Sequence, residues 1–363
     1  MKPLRILHFD FDDLESPTAG GQAVRTFEIN KRLAKKGHQI TVITLTYPGA
    51  KNKTKEGIKY ERAGLMKGPK SYISYMASIP YMIWKHRFDL VIEDNISPFT
   101  FGFSPLYTRK PIISQIQCFF AQYSSIKHKF PLWAFEKYGA KIYKNFIVLT
   151  KNMESEIRAL NKKARIEIIP NGISKIPTLN FFEQNYFLFI GRLDFYQKGL
   201  GHLLAAAELL KKSLPDHKII IAGTGPDEDK LLNVINTKKL NNIECVGQIE
   251  GQKKEQLLQN CLALLQPSNF EIFPFTILEA ASWGKPTICF KIANLEEIMS
   301  QKIGEAVPAF NIQAFAEVAK KIAHNKTLRQ TLGQNAHDWA KKHMWDQIVE
   351  KQEKFYQTCI DKK

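Results

Sequence analysis

The sequence predicts an α/β protein made of two tandem doubly wound parallel sheets. Three observations carry that expectation. Short apolar runs at 4–9, 40–45, 90–92, 112–116 and 146–149 alternate with helical patterns such as 23–36. A second set follows at 186–190, 218–221, 243–246, 262–265 and 287–290, again separated by helical patterns. Between the sets lies Pro170-Asn-Gly-Ile-Ser-Lys-Ile-Pro177, a stretch of turn formers. Strands that alternate with helices pair in parallel and need helices on their faces, so each set makes its own sheet. The boundaries follow: a first domain at 1–175, a second at 176–345, and a tail at about 346–363 after the last helices of the second half. A chain of 363 residues with 44% hydrophobic content can fill two such cores.

Composition narrows the class. Cys118, Cys245, Cys261, Cys289 and Cys359 are odd in number and lack C-x-x-C spacing, so reduced thiols in a cytosolic protein are expected, and no metal site. The chain opens directly on a strand pattern, with no apolar core or cleavage site of a secretion signal. The most membrane-like stretch, 76–84, contains Pro80 and falls far short of the ~20 residues a spanning helix needs. Net charge is +17. Residues 1–175 carry 29 Lys and Arg against 14 Asp and Glu, so the first half holds nearly all of the excess.

The most informative stretch follows the apolar run 261–266. Glu271 and Glu279 stand eight apart in Phe270-Glu-Ile-Phe-Pro-Phe-Thr-Ile-Leu-Glu-Ala280, and Gly284 and Pro286 stop the expected helix at 276–283. Glu271 is thereby placed on the loop at a strand's carboxyl end, the edge where open parallel sheets bind ligands. The amides opening the next helix favour an anion there. Two carboxylates beside an anion site suit a ligand that also carries hydroxyls, as a nucleotide sugar does.

The positive half is supplied by Phe187-Leu-Phe-Ile-Gly-Arg-Leu-Asp-Phe-Tyr-Gln-Lys-Gly-Leu200. Arg192 can hold a phosphate through two parallel bonds, and Lys198 adds a mobile point charge. Asp194 reads as a turn-shaping residue.

Four ordered motifs, Ile169-Pro-Asn-Gly172, Gly191-Arg-Leu with Lys198-Gly, Ile221-Ala-Gly-Thr-Gly-Pro226 and the Glu-x7-Glu segment, resemble family 4 (group 1) of the retaining, nucleotide-sugar-dependent glycosyltransferases of GT-B fold. The resemblance implies two Rossmann-like domains facing an interdomain cleft, an acceptor-binding first domain, a donor-binding second domain, and a final helix that packs back on the first. It implies that Glu271 bonds the donor sugar's hydroxyls and steadies charge at the anomeric carbon, with Arg192 and Lys198 as the other catalytic groups. Glu279 would take the ribose hydroxyls. Pro274 stands where the family has glycine and removes an N–H, so amide contacts shift to Phe275 and Thr276. Gly20 and Gly21 in the first strand–helix loop would approach phosphate or sugar closely. Gly223 serves either a tight connection or direct donor contact, and Ile249 falls where the family lines the nucleobase.

On the acceptor side, Gln117 replaces a histidine often found in the family, so no imidazole titrates there. His8 reads as a packed strand residue, and His128 as a weak substitute. Asp10-Phe-Asp12 and Asp227-Glu-Asp229 read as ordinary loop or helix-start charges, because neither follows the strand ending near Gln266. The run 67–86 mixes tyrosine, tryptophan and basic residues, which suits either an anionic lipid interface or packing on the first sheet.

The expected activity is transfer of a hexose from a nucleoside diphosphate sugar, a UDP-sugar favoured over a GDP-sugar, with retention. The acceptor is a glycan, lipid-linked or polyanionic hydroxyl. The nucleotide sugar is a co-substrate; no cofactor or metal is required, and no nucleic acid partner is expected. The expected location is cytoplasmic or peripheral on the inner membrane face. Closure about the linker near 173–180 would expel water. Two alternatives share the donor contacts: a sugar-nucleotide epimerase, which needs acid/base groups in the first domain, and a noncatalytic sugar-nucleotide-binding subunit. A basic nucleic-acid binder would show a steep salt slope.

Overall fold

The computed structural model describes residues 2–16, 19–65, 69–95, 101–117 and 132–361; His128 and Cys118 lie outside them. The chain forms two compact units, Met1–Asn171 with Trp345–Lys363, and Gly172–Met344.

The first unit contains β1 (Arg5–Phe9), α1 (Gly21–Lys35), β2 (Gln39–Leu45), β3 (Lys53–Lys55), β4 (Ile58–Ala63), α2 (Pro69–Lys85), β5 (Leu90–Asn95), β6 (Ile112–Ile116), α3 (Leu132–Ile142), β7 (Asn145–Val148), α4 (Lys151–Leu160) and β8 (Arg165–Ile168). The sheet order is β3-β4-β2-β1-β5-β6-β7-β8. Every neighbouring pair is parallel except β3 and β4, which form a hairpin through Glu56 and Gly57, both at positive φ. That two-residue turn matches the twist of the strands it joins.

Helix α1 ends because Gly37 takes φ 93, which lets its N–H reach Ala34 O and the His38 N–H reach Leu33 O. Arg32 and Lys35 in its last turn complement the helix dipole. The C-terminal helix, Trp345–Asp361, packs against α1. Asp346 and Glu353 pair there with Arg32 and Lys36.

The second unit runs β9 (Tyr186–Ile190), α5 (Leu200–Ser213), β10 (Lys218–Ala222), α6 (Glu228–Thr237), β11 (Ile243–Gly247), α7 (Gly251–Asn260), β12 (Leu264–Gln266), α8 (Phe275–Ser282), β13 (Thr287–Phe290), α9 (Ala293–Met299), β14 (Gly304–Val307), α10 (Ile312–His324) and α11 (Lys326–Lys341). Its sheet is parallel throughout, in the order β11-β10-β9-β12-β13-β14. Phe187, Phe189, Leu203, Ile219, Leu265, Ile288, Phe290 and Phe315 are shared by sheet and helices in one apolar core.

The side on which successive strands are added switches once in each sheet. In the second unit the chain winds outward from β9 through β10 and β11, then restarts on the other side at β12. The loops leaving β9 and β12 lie at the carboxyl edge of that switch, where open parallel sheets bind ligands. In the first unit the same reversal lies between β1 and β5.

Candidate active site

The two loops singled out by sequence leave these reversing strands. Arg192 and Lys198 follow β9, and Glu271 follows β12. Close backbone approach laces the loops together. Gly199 adopts φ 65, and a Cβ there would meet the Pro267 carbonyl oxygen at 2.0 Å. The Asn269 N–H donates to Gln197 O at 3.0 Å, and the Asn269 amide donates to Tyr196 O. His202 and Asn269 Oδ1 meet at 2.9 Å.

This lacing brings Lys198 Nζ to 2.6 Å from Glu271 Oε1. The same oxygen accepts from Gln266 Nε2 at 2.8 Å and from the Ser268 hydroxyl at 2.9 Å. Asn294 donates to the Glu271 carbonyl at 3.0 Å, fixing the loop from the α9 side. Thr276 in turn donates to Gln266 Oε1 at 3.2 Å, which sets the amide's orientation. All three donors converge on one carboxylate oxygen of a side chain 7% exposed, and Oε2 receives none among the described residues. A carboxylate held this way keeps one oxygen free to accept hydroxyls.

Arg192 lies exposed at the end of β9, with no hydrogen bond or ion pair among the described residues. Its backbone is set by two glycines. A Cβ on Gly223, at φ 138, would meet Gly191 O at 1.9 Å, and one on Gly225 would meet Leu193 O at 2.4 Å. Gly223 thus has a backbone reason to be glycine. Asp194 accepts from the Gln197 N–H at 2.7 Å, shaping the turn. Ile249 is buried just beyond β11, between Gly247 and Gly251, both at positive φ.

Helix α8 starts at Phe275 with Pro274 as N-cap and no side-chain cap. Glu279, one turn further, pairs through Oε1 with Lys254 of α7 at 2.7 Å, while its buried Oε2 has no partner among the described residues. The structure thus brings Lys198, Glu271 and Thr276 into one bonded network, with Glu279 on the same helix as Thr276.

Lys254, Gln266, Ser268 and Asn294 were not anticipated. Gln266 and Ser268 leave a signal in the sequence, because polar residues that end a buried strand need partners. Lys254 and Asn294 leave none.

In the first unit, Gly20 caps α1 and Gly21 begins it; a Cβ on Gly20 would meet nothing within 4 Å. Gln117 follows β6, and its Nε2 is buried without a partner among the described residues. His8 is packed in β1, as expected, between Asp94 Oδ2 at 2.8 Å and Asn30 at 2.9 Å.

Asp10 corrects the sequence reading. It is a fully buried residue at the β1–β5 reversal, not an ordinary loop charge. Gln22 donates to its Oδ1 at 2.6 Å, and its Oδ2 has no partner among the described residues. Burial and the neighbouring Asp94 push its carboxyl up to about 8. Burial opposes a charge on His8, yet Asp94 and Asp10 outweigh it and raise the imidazole.

Both shifts make folding favour the protonated forms. For Asp10 that contribution is complete below 3.8, the ordinary value, and is lost as pH rises through about 8. The His8 contribution likewise falls above its ordinary 6.5. Thermal melts should therefore lose stability across this window, and Asp10→Asn should flatten the loss. An unchanged slope in that variant would remove Asp10 from the account.

The family described as glycosyl transferases group 1 matches residues 174–339, and glycosyltransferase family 4 matches residues 19–175. The chain belongs to the group 1, family 4 glycosyltransferases. An uncharacterized glycosyltransferase of Methanocaldococcus jannaschii is 27% identical over 239 residues, 66% of this chain and 65% of that protein. O-antigen chain mannosyltransferase C of Escherichia coli is 31% identical over 156 residues, 42% of this chain and 40% of that protein. The chain thus matches less than two thirds of the length of either relative. The sucrose-phosphate synthase of Thermosynechococcus elongatus superposes with a TM-score of 0.83 at 17% identity, covering 99% of this chain and 100% of that one. That likeness is one of fold, and the fold is GT-B.

Proposed function

We propose that this family member transfers a hexose from a nucleoside diphosphate sugar, a UDP-sugar before a GDP-sugar, to a hydroxyl of a glycan, lipid-linked or polyanionic acceptor, with retention and without a metal. The observation that carries the reading is the Lys198–Glu271 pair at the β9–β12 reversal, with one carboxylate oxygen left for the ligand. Arg192 and Lys198 hold the diphosphate and stabilise the charge it gains as the glycosidic bond breaks. Lys198 can do so while still bonded to Glu271, because an ammonium has three donors. Glu271 accepts the sugar's hydroxyls and faces the positive charge that builds at the anomeric carbon. Glu279 takes the ribose hydroxyls.

The acceptor belongs with the first unit, where Gln117 lies at the carboxyl edge of the sheet, while the Gly20–Gly21 loop at the same edge serves the donor's phosphate or sugar. The acceptor oxygen bonds the anomeric carbon on the face that the diphosphate leaves, and its proton passes to a departing phosphate oxygen. Gln117 cannot titrate, which agrees with that route. The O-antigen mannosyltransferase likeness supports a sugar-bearing acceptor. No described helix is long and apolar enough to cross a membrane, so a lipid-linked acceptor would be met at a bilayer surface.

The test is a thermal-shift screen of UDP- and GDP-sugars, followed by nucleoside diphosphate release with candidate acceptors in the presence of EDTA. A donor-specific rise in Tm, acceptor-dependent release and insensitivity to EDTA are expected. Conversion of the donor without acceptor would mark an epimerase instead, and binding without release a noncatalytic subunit.

A further inference from the structure

Helix α2 turns one face inward and leaves the other uncovered. Tyr75, Ile79, Met82 and Ile83 are buried. On the opposite side Ile73 is 61% exposed, Tyr81 55% and Trp84 82%. With Ala77, also exposed, these positions recur at helical spacing and form one apolar stripe along the helix. The Tyr81 and Trp84 rings lie 6.2 Å apart.

Helix α2 packs against a short 3-10 turn at Ser104–Leu106, beside which Leu106 and Tyr107 are exposed. Lys70 and Lys85 stand exposed on the same helix, Arg87 follows it, and Arg109 and Lys110 are exposed on the same unit. Lys85 pairs with Glu61, and Asp89, paired with Arg5, is the acidic group within reach of Lys110. Arg87, Arg109 and Lys110 have no ion-pair partner within 4.0 Å among the described residues.

We propose that the first unit docks on an anionic lipid bilayer through this face, with Trp84, Tyr81 and Ile73 entering the headgroup region and the basic residues meeting lipid phosphates. Charge complementarity selects that occupant over a protein. Residues 1–175 hold 29 basic against 14 acidic side chains, and clustered basic residues are drawn to anionic headgroups. Tryptophan and tyrosine side chains, apolar with a polar tip, suit the water–lipid boundary. The inference rests on exposed side chains and not on the transfer reading, so either can fail alone.

The experiment is co-sedimentation of the full chain with phosphatidylcholine vesicles, with and without phosphatidylglycerol, across a salt series. Binding is expected only with the anionic lipid, and it should fall as salt rises. Removing Arg109 and Lys110 together should weaken it roughly fivefold per charge. Tyr81→Ala/Trp84→Ala should abolish most of the remainder, while its melting temperature and its binding of nucleotide sugar stay as in the wild type. Equal binding to neutral vesicles, or wild-type binding by the aromatic variant, would overturn the proposal. So would a dimer in solution that the aromatic variant dissociates, since a second copy would then be the occupant.

Discussion

Glu271→Gln is expected to lower the turnover of sugar transfer by ~10²–10³-fold while donor affinity changes little, because the lost charge matters most when the anomeric carbon becomes positive. Glutamine is the informative substitution. Its carbonyl oxygen can replace Oε1 as acceptor for Lys198, Gln266 and Ser268, so the loop keeps its bonds. Glu271→Ala would strand those donors at a cost of roughly 1–3 kcal/mol each where buried, mixing stability with catalysis. Initial-rate kinetics with saturating donor, beside a thermal melt, separates the two. A Gln variant within a few-fold of wild type would place the chemistry elsewhere.

Lys198→Ala is expected to be nearly as severe, ~10²-fold in turnover, because it removes a charge from the departing diphosphate. Arg192→Ala should also lower turnover but leave the melting temperature unchanged, since its exposed guanidinium has no protein partner among the described residues. The Lys198 effect has a stability component as well. The pair is mostly shielded from water, with side chains 18% and 7% exposed, and removing one partner leaves Glu271 on two neutral donors. A double variant, Lys198→Ala with Glu271→Gln, should regain melting temperature without regaining turnover. In the double-mutant cycle on turnover, the two losses should be far from additive, since the groups act as a unit. Full additivity would mean that the two side chains serve unrelated steps.

The fold class could be read from the sequence because β1, β2, β5, β6, β9, β10 and β13 each contain a short run of buried aliphatic or aromatic residues, with helical patterns between them. Other strands escaped for physical reasons. Strand β3 is Lys-Thr-Lys on a sheet edge, where charge prevents unwanted pairing and erases the apolar signal. In β4, Lys59, Glu61 and Arg62 hide the strand pattern. The edge strands β8 and β14 are four residues long and only partly buried.

The site divides the same way. Glu271, Lys198 and Thr276 could be named because each lies in a segment that follows a strand, within a recognisable run of neighbours. Their mutual bonds could not, since they depend on Gly199 lying against Pro267, across 68 residues of chain. Asp10 was misread for a related reason. Its burial comes from β5 lying beside β1, which brings Asp94 from 84 residues away into the same buried group. Local sequence shows an aspartate after a strand, and only the strand order shows that it is covered.

A crystal structure of the chain with its intact donor sugar nucleotide tests the central claim most directly. Glu271 Oε2 is expected within about 3 Å of a sugar hydroxyl, and Lys198 Nζ and the Arg192 guanidinium at similar distances from diphosphate oxygens. A donor seated with its diphosphate away from Lys198 and its sugar away from Glu271 would contradict it.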